Sequence, residues 1–220
     1  MYYDLVSSLP YLPYFQEADR LPITPLRLEQ RLRLLKPRYA EQLFLVRPLV
    51  SWRMERQEMP TDDQLRAQRS QLAELSLDRD LREYVNFRMT QRWLVAVLRY
   101  RQAELELPTS LESWNVDVNI RRLQRHWTEP GLGLVHVHKW LPQAENSLST
   151  LDSLGLERLL IDLNWTWLTR CADQGMFRFA AVFAYVFKWD MLQTWLRNDP
   201  NAAKARFTQL VDEVTHVAES

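Results

Sequence analysis

The sequence predicts a mainly α protein, a multi-helix bundle built from helix hairpins, with an irregular N-terminal segment and room for one short strand. Three observations carry this. Apolar residues recur at three- and four-residue steps in several stretches, the period of one helical face. Prolines and capping residues punctuate those stretches. Only 4 of the 220 residues are glycine, too few for folds that press backbone against phosphate or dinucleotide.

Residues 1–25 carry Pro10, Pro13, Pro22 and Pro25, which predict an extended or turn-like opening. Thr24-Pro25 reads as a helix start, with a capping threonine and proline in the first turn. Leu28, Leu32 and Leu35 then share one face until Pro37 interrupts. A short helix is expected over 39–50, ending before Pro48. The polar stretch 52–62, with Met59-Pro60-Thr61, reads as a loop. Thr61 or Asp62 caps a helical region with Leu65, Leu72 and Leu75 on one face. After a break near 76–78, a long helix follows with Leu81, Tyr84, Val85, Met89, Trp93, Ala96, Val97 and Tyr100 in a broad stripe. Pro108 ends it.

The stretch 109–150 is the least regular. WNVDVNIRRL is compatible with a short helix or a strand. EPGLGLVHVHKWLP reads as a loop with room for a short strand, and 146–150 as a polar turn. A helix is expected from about Leu156, stopped by Asp173-Gln174-Gly175. A second runs from about Phe177 to Arg197, broken by Asp199-Pro200, and a final amphipathic helix covers roughly 201–217. The whole of 1–220 reads as one helical domain, with a subdivision near 109–150.

Composition removes several function classes. The formal net charge is zero, so there is no global bias toward nucleic acid. The basic charge is nearly all arginine, the lysines being Lys36, Lys139, Lys188 and Lys204. Arginine suits bidentate and stacked contacts, though a GC-rich genome produces the same excess. Cys171 is the single cysteine, which fits a reducing compartment and a packed, inert thiol. Asp4 and Pro10 interrupt the apolar opening, so a signal peptide is not expected. The longest apolar run, Phe179 to Phe187, falls far short of the roughly 20 residues that span a bilayer.

Candidate chemistry is sparse. His136-Val137-His138 would place two imidazoles on one side of an extended segment, with His126 and Glu129 nearby in sequence, a weak metal pattern. Surface or structural histidines are the plainer reading. Asp62-Asp63 and Asp78/Asp80 fall at helix starts, where they complement the helix dipole. Ser7 and Ser8 lack the frame of a nucleophile elbow. The tryptophans at 165, 167, 189 and 195 read as core and interface anchors rather than a base-stacking platform. Arg92, Arg99 and Arg101 beside the aromatic stripe form either a solvated face or a docking rim.

Three stretches together resemble a family of bacterial proteins encoded with V-type ATPase subunits, which occupies the place of the C subunit (d in eukaryotes). The first is YYDLVSSLPYLP at Tyr2–Pro13. The second is LREYVNFRMTQRWLVAVLRYRQ at Leu81–Gln102, with Thr90-Gln91-Arg92 where an Arg-Asn pair is expected. The third is LERLLIDLNWTWL followed by FAAVFAYVFKWDMLQTWL, in which Ala184-Tyr185-Val186-Phe187-Lys188-Trp189-Asp190-Met191 is similar to a closing-helix pattern that carries glutamate in place of Asp190. The chain is much shorter than a typical C subunit of three helical units.

The resemblance implies a non-catalytic coupling subunit of an ATP-driven ion pump. It would receive the central rotor shaft and sit on the membrane ion-translocating ring. No nucleotide and no other cofactor would be bound. Its partners would be the shaft subunits and the rotor ring, with no nucleic acid. It would be cytoplasmic, held at the inner membrane only through the complex. The faces to search for partner contact are the helix at 81–102 (Arg92, Arg99, Arg101) and the turn at 173–176 (Gln174, Met176). A generic helical adaptor and a small metal-dependent enzyme using His136 and His138 are the competing readings.

Overall fold

In the computed structural model, which describes residues 1–52, 76–105 and 120–198, the opening segment is folded and partly helical. Helix α1 (Tyr3–Ser8) replaces the extended start expected from the prolines. Pro10 restricts only the residue before it, and Leu9 is accordingly extended. Leu5 on α1 is 2% exposed and anchors the segment.

Helix α2 (Pro25–Leu32) begins as its sequence predicts: Thr24 Oγ1 accepts from the Arg27 N–H at 3.4 Å, and Pro25 occupies the first turn. Helix α3 (Pro37–Val50) does not stop before Pro48; the proline lies inside its last turn. There it removes one helical hydrogen bond, near an end where such bonds already run out. Arg92 Nη1 donates to the Leu49 carbonyl at 2.9 Å and satisfies one of the terminal acceptors. Buried Gln42 ties α3 to the next segment, donating to the Ser76 carbonyl and accepting from the Asp78 N–H.

Helix α4 (Arg79–Gln102) is capped by Asp78, whose carboxylate accepts from the Asp80 N–H, as the acidic start predicted. Short α5 (Ile120–Arg125) settles the helical alternative for its part of WNVDVNIRRL. A 3-10 turn at Pro130–Gly133 follows. Helix α6 (Leu141–Ser149) takes in most of the stretch read as a polar turn. Pro142 in its first turn and the Thr150 hydroxyl on the Asn146 carbonyl close the two ends. Helix α7 (Ser153–Gln174) starts earlier than Leu156 because Asp152 accepts from the Gly155 N–H at 2.8 Å. Helix α8 (Phe179–Asn198) completes the set. No strand occurs among the described residues, and His136-Val137-His138 lies in turns rather than extended backbone. The loop after Trp52, the helix with Leu65, Leu72 and Leu75, Asp62-Asp63, Pro108 and the final helix at 201–217 lie outside the described residues.

The antiparallel pair α7 and α8 makes the most extensive helix contact. Around it sit two apolar cores that share α4 and α7. The first joins Leu5, Phe15, Leu28 and Val46 to Tyr84, Trp165 and the inner face of α8. The second joins Trp93, Leu94 and Leu98 of α4 to Leu123, Leu132, Leu141 and Leu156. No described helix is long and apolar enough to cross a membrane.

Candidate functional site

The end of the bundle where α7 turns into α8 is built by the opening segment. Gly175 terminates α7, donating its N–H to the Cys171 carbonyl at 3.0 Å. A side chain at Gly175 would bring its Cβ within 2.6 Å of Ala180 Cβ, so this close turn requires glycine. Phe177 takes a left-handed φ of 58°, uncommon for an aromatic residue. Its position is held from outside: the Tyr2 N–H donates to the Phe177 carbonyl at 2.6 Å, and the Tyr3 ring lies 4.8 Å from the Phe177 ring. Tyr2 also meets Tyr39, which lies against Phe179, and its hydroxyl accepts from the Lys36 N–H at 3.3 Å. Burial raises the Tyr2 phenol pKa.

This latch leaves two large apolar side chains on the outside, between the exposed charges of Asp4, Asp173 and Arg178. Tyr3 is 62% exposed and Met176 is 65% exposed, with Gln174 exposed beside them. Met176 and Gln174 were the turn residues singled out in the sequence, and both reach solvent. Cys171 beneath the turn is half-buried, and burial together with Asp80, Asp78 and Glu83 pushes its thiol up to about 12. A thiol so raised is a poor nucleophile near neutral pH.

The three arginines of α4 have different fates. Arg92 is spent on the Leu49 carbonyl, and burial lowers its pKa. Arg101 forms an ion pair with Glu145 and donates to the Glu129 carbonyl at 2.7 Å, fastening α4 to the 126–133 loop and α6. Arg99 is exposed. Arg122 Nη2 donates to His136 Nδ1 at 3.4 Å, so a cation already sits where a metal ion would have to bind. His138 is partly buried beside Trp140, and burial lowers its pKa. His126 pairs instead with Glu129 at 2.8 Å. Among the described residues no three His, Cys, Asp or Glu side chains are grouped to hold a metal ion.

The polar pair of the α8 motif is committed to packing. Asp190 accepts two bonds from Arg47, at 2.8 Å to Nε and 2.6 Å to Nη2. That hydrogen bonding raises the Arg47 pKa. Lys188 lies 5.4 Å over the Trp165 ring and reaches Thr169, with its pKa lowered by burial.

Sequence reasoning missed a buried polar layer between the two cores. Arg88 is 7% exposed, and Asn164 is fully buried. Gln91 Oε1 accepts from Arg88 Nη1 at 2.8 Å and from Asn164 Nδ2 at 2.7 Å. The Arg88 guanidinium lies 3.7 Å over the Trp52 ring, a cation–π contact that offsets part of its desolvation. Burial still drives its pKa down to about 9. Arg88 Nε and Asn164 Oδ1 have no hydrogen-bond partner among the described residues. The signal was present: positions 88 and 91 fall in step with Leu81, Tyr84 and Val95 on the inner face of α4.

Taken together, these features define a helical bundle with a latched end that exposes Tyr3, Gln174 and Met176. No protein-family model, curated protein or solved structure matches the chain.

Proposed function

We propose that the chain is a non-catalytic docking protein, specifically a C-like subunit of a bacterial V-type ATPase that couples the central rotor shaft to the membrane ring. The observation that carries this reading is the convergence of the three resembling stretches. The opening segment bonds to the α7–α8 turn through Tyr2 and Phe177. The Tyr84 ring of α4 stacks on Phe183 and Phe187 of α8. Stretches far apart in sequence therefore form one unit, and that unit presents Tyr3, Gln174 and Met176 outward. An exposed methionine and aromatic side chain are types enriched where proteins meet. On this reading the protein is cytoplasmic and reaches the inner membrane only through its partners. It contributes rigidity and contact surface rather than a reaction.

Tagged protein purified from its own cells is expected to carry shaft and head subunits of the ATPase. Met176→Asp should remove them without lowering the melting temperature, since Met176 is exposed. Purification with other partners only, together with intact ATP-driven ion transport after gene deletion, would leave a generic helical adaptor as the correct description. Genes for the catalytic and shaft subunits flanking this one would separate the two readings at once.

A further inference from the structure

His126, His136 and His138 all lie in the loop between α5 and α6. Cations tie that loop down. Arg122 Nε donates to the Gly133 carbonyl at 3.1 Å, and its Nη2 to His136 Nδ1 at 3.4 Å. Arg101 Nη1 donates to the Glu129 carbonyl at 2.7 Å. Beneath the loop lies the second core, where Leu132 and Leu141 are fully buried. Gly131, Leu132 and Gly133 are all left-handed, with φ of 62°, 57° and 64°. A leucine in that conformation is held by its surroundings rather than by its own preference. The loop therefore depends on its ties.

The carboxylates beside it are already engaged. Glu129 pairs with His126 at 2.8 Å. Glu145 of α6 pairs with Arg101 and accepts from the Gly131 N–H at 2.9 Å. The other charged groups on the loop, α5 and helical α4 nearest to it are Lys139, Arg121, Arg122, Arg125, Arg99 and Arg101, all cations. Glu104 follows the end of α4, and α7, packed on α6, carries Glu157 and Arg158, of opposite sign.

Protonation has a defined consequence in this setting. Neutral His136 accepts from Arg122; an imidazolium has no lone pair to offer and sets two cations against each other. His138 is partly buried beside Trp140, and its carbonyl accepts from the Leu141 N–H at 3.1 Å, at the start of α6. A positive charge there loses hydration and meets the positive end of the helix. Burial, and after it His136, lowers the His138 pKa from its ordinary 6.5. The folded state thus favours the neutral ring. Its contribution to stability is complete above pH 6.5 and is lost as pH falls below that value. His126 acts in the opposite direction, since its charge strengthens the Glu129 pair, but that pair is largely exposed and lies within the loop.

We propose that the 126–138 loop is an acid-released strap over the second core: protonation of His136 and His138 breaks its tie to α5, loosens α6 and uncovers Leu132 and Leu141, while the first core stays closed. This device depends neither on the Tyr3–Met176 surface nor on the ATPase reading.

Hydrogen exchange on the full-length protein tests it, at about pH 7.5 and about pH 5.5, with each rate divided by the rate of unstructured chain. On acidification the protection of 141–149 should fall at least about threefold more than that of 179–198. The double variant His136→Gln, His138→Gln should abolish this difference, because glutamine stays neutral and still accepts from Arg122. An equal fall in both helices, no fall in α6, or the same difference in the double variant would overturn the proposal. If the double variant does not fold, proton NMR of the wild-type imidazoles decides. His138 titrating below 6.5, with the amides of 131–141 shifting alongside it, supports the strap. His138 titrating at or above 6.5, or amides that stay unmoved, rejects it.

Discussion

The two cores are built differently from helices they share. The first stacks aromatic on aromatic: Tyr84, Phe183 and Phe187 in one group, Phe15 against Trp165 and Trp195 in another. The second is mostly leucine and valine with Trp93 and Trp140. Aromatic side chains bury large areas in long helices whose periodicity announces them. The second core depends on short elements held by polar bonds, such as Arg101 to Glu145 and to the Glu129 carbonyl. It also depends on left-handed backbone at Gly131, Leu132 and Gly133. At Gly133 an added Cβ would lie 2.7 Å from the His126 side chain. The difference shows that long-range packing can be legible in one half of a bundle and hidden in the other.

The sharpest way to break this comparison is to remove one anchor from each core. Phe183→Ala should cost about 4 kcal/mol in denaturant unfolding, because a fully buried ring leaves a cavity. Leu141→Ala should cost about 3 kcal/mol. If the cores are separable, hydrogen exchange in Leu141→Ala will speed up in α6 while α8 keeps its protection. Equal loss in both helices would show that they open as one unit.

The polar layer gives a smaller and oppositely directed test. Arg88 has no carboxylate partner among the described residues; burying such a guanidinium is costly, and apolar replacement of buried charge is often neutral or stabilising. Arg88→Met should therefore leave the unfolding midpoint unchanged or raise it, by about 1 kcal/mol at most. A clear loss would mean that the Trp52 and Gln91 contacts outweigh the desolvation of Arg88. Arg47→Ala should cost about 1 kcal/mol, since its ion pair with Asp190 is bidentate yet still partly exposed. A double-mutant cycle with Asp190→Ala measures the coupling.

Smallest in its effect on stability at neutral pH is Cys171. Burial raises its thiol to about 12 from an ordinary 9.0. The folded state therefore holds the proton longer than the unfolded state. Its contribution is complete below pH 9 and is lost as pH rises from 9 towards 12. Iodoacetamide at pH 8 should label folded protein far more slowly than protein in urea, by a factor on the order of 10³ in thiolate fraction. Equal rates would show that the first core leaves this thiol open.

Much of the end surface was readable before the fold was known. The turn at Gly175, the exposed Gln174 and Met176 and the helix starts at Thr24 and Asp78 follow from local backbone chemistry. The Tyr2–Phe177 latch was not readable, because it joins residues at opposite ends of the described chain. Pro48 within α3 was misread because sequence alone does not show that the proline comes close enough to a helix end to be tolerated. His136 and His138 suggested paired imidazoles only while the backbone was assumed extended.

By itself the sequence determined the class of fold, the long helices α4, α7 and α8 and the stop between the last two. Those features depend on periodicity, caps and glycine, which act within a few residues. Tertiary structure alone decided that α4 serves two cores, that Arg88, Gln91 and Asn164 meet between them, and that Arg92 and Arg101 turn inward. Such choices depend on which distant carbonyl, carboxylate or ring lies within about 3–4 Å once the helices have packed.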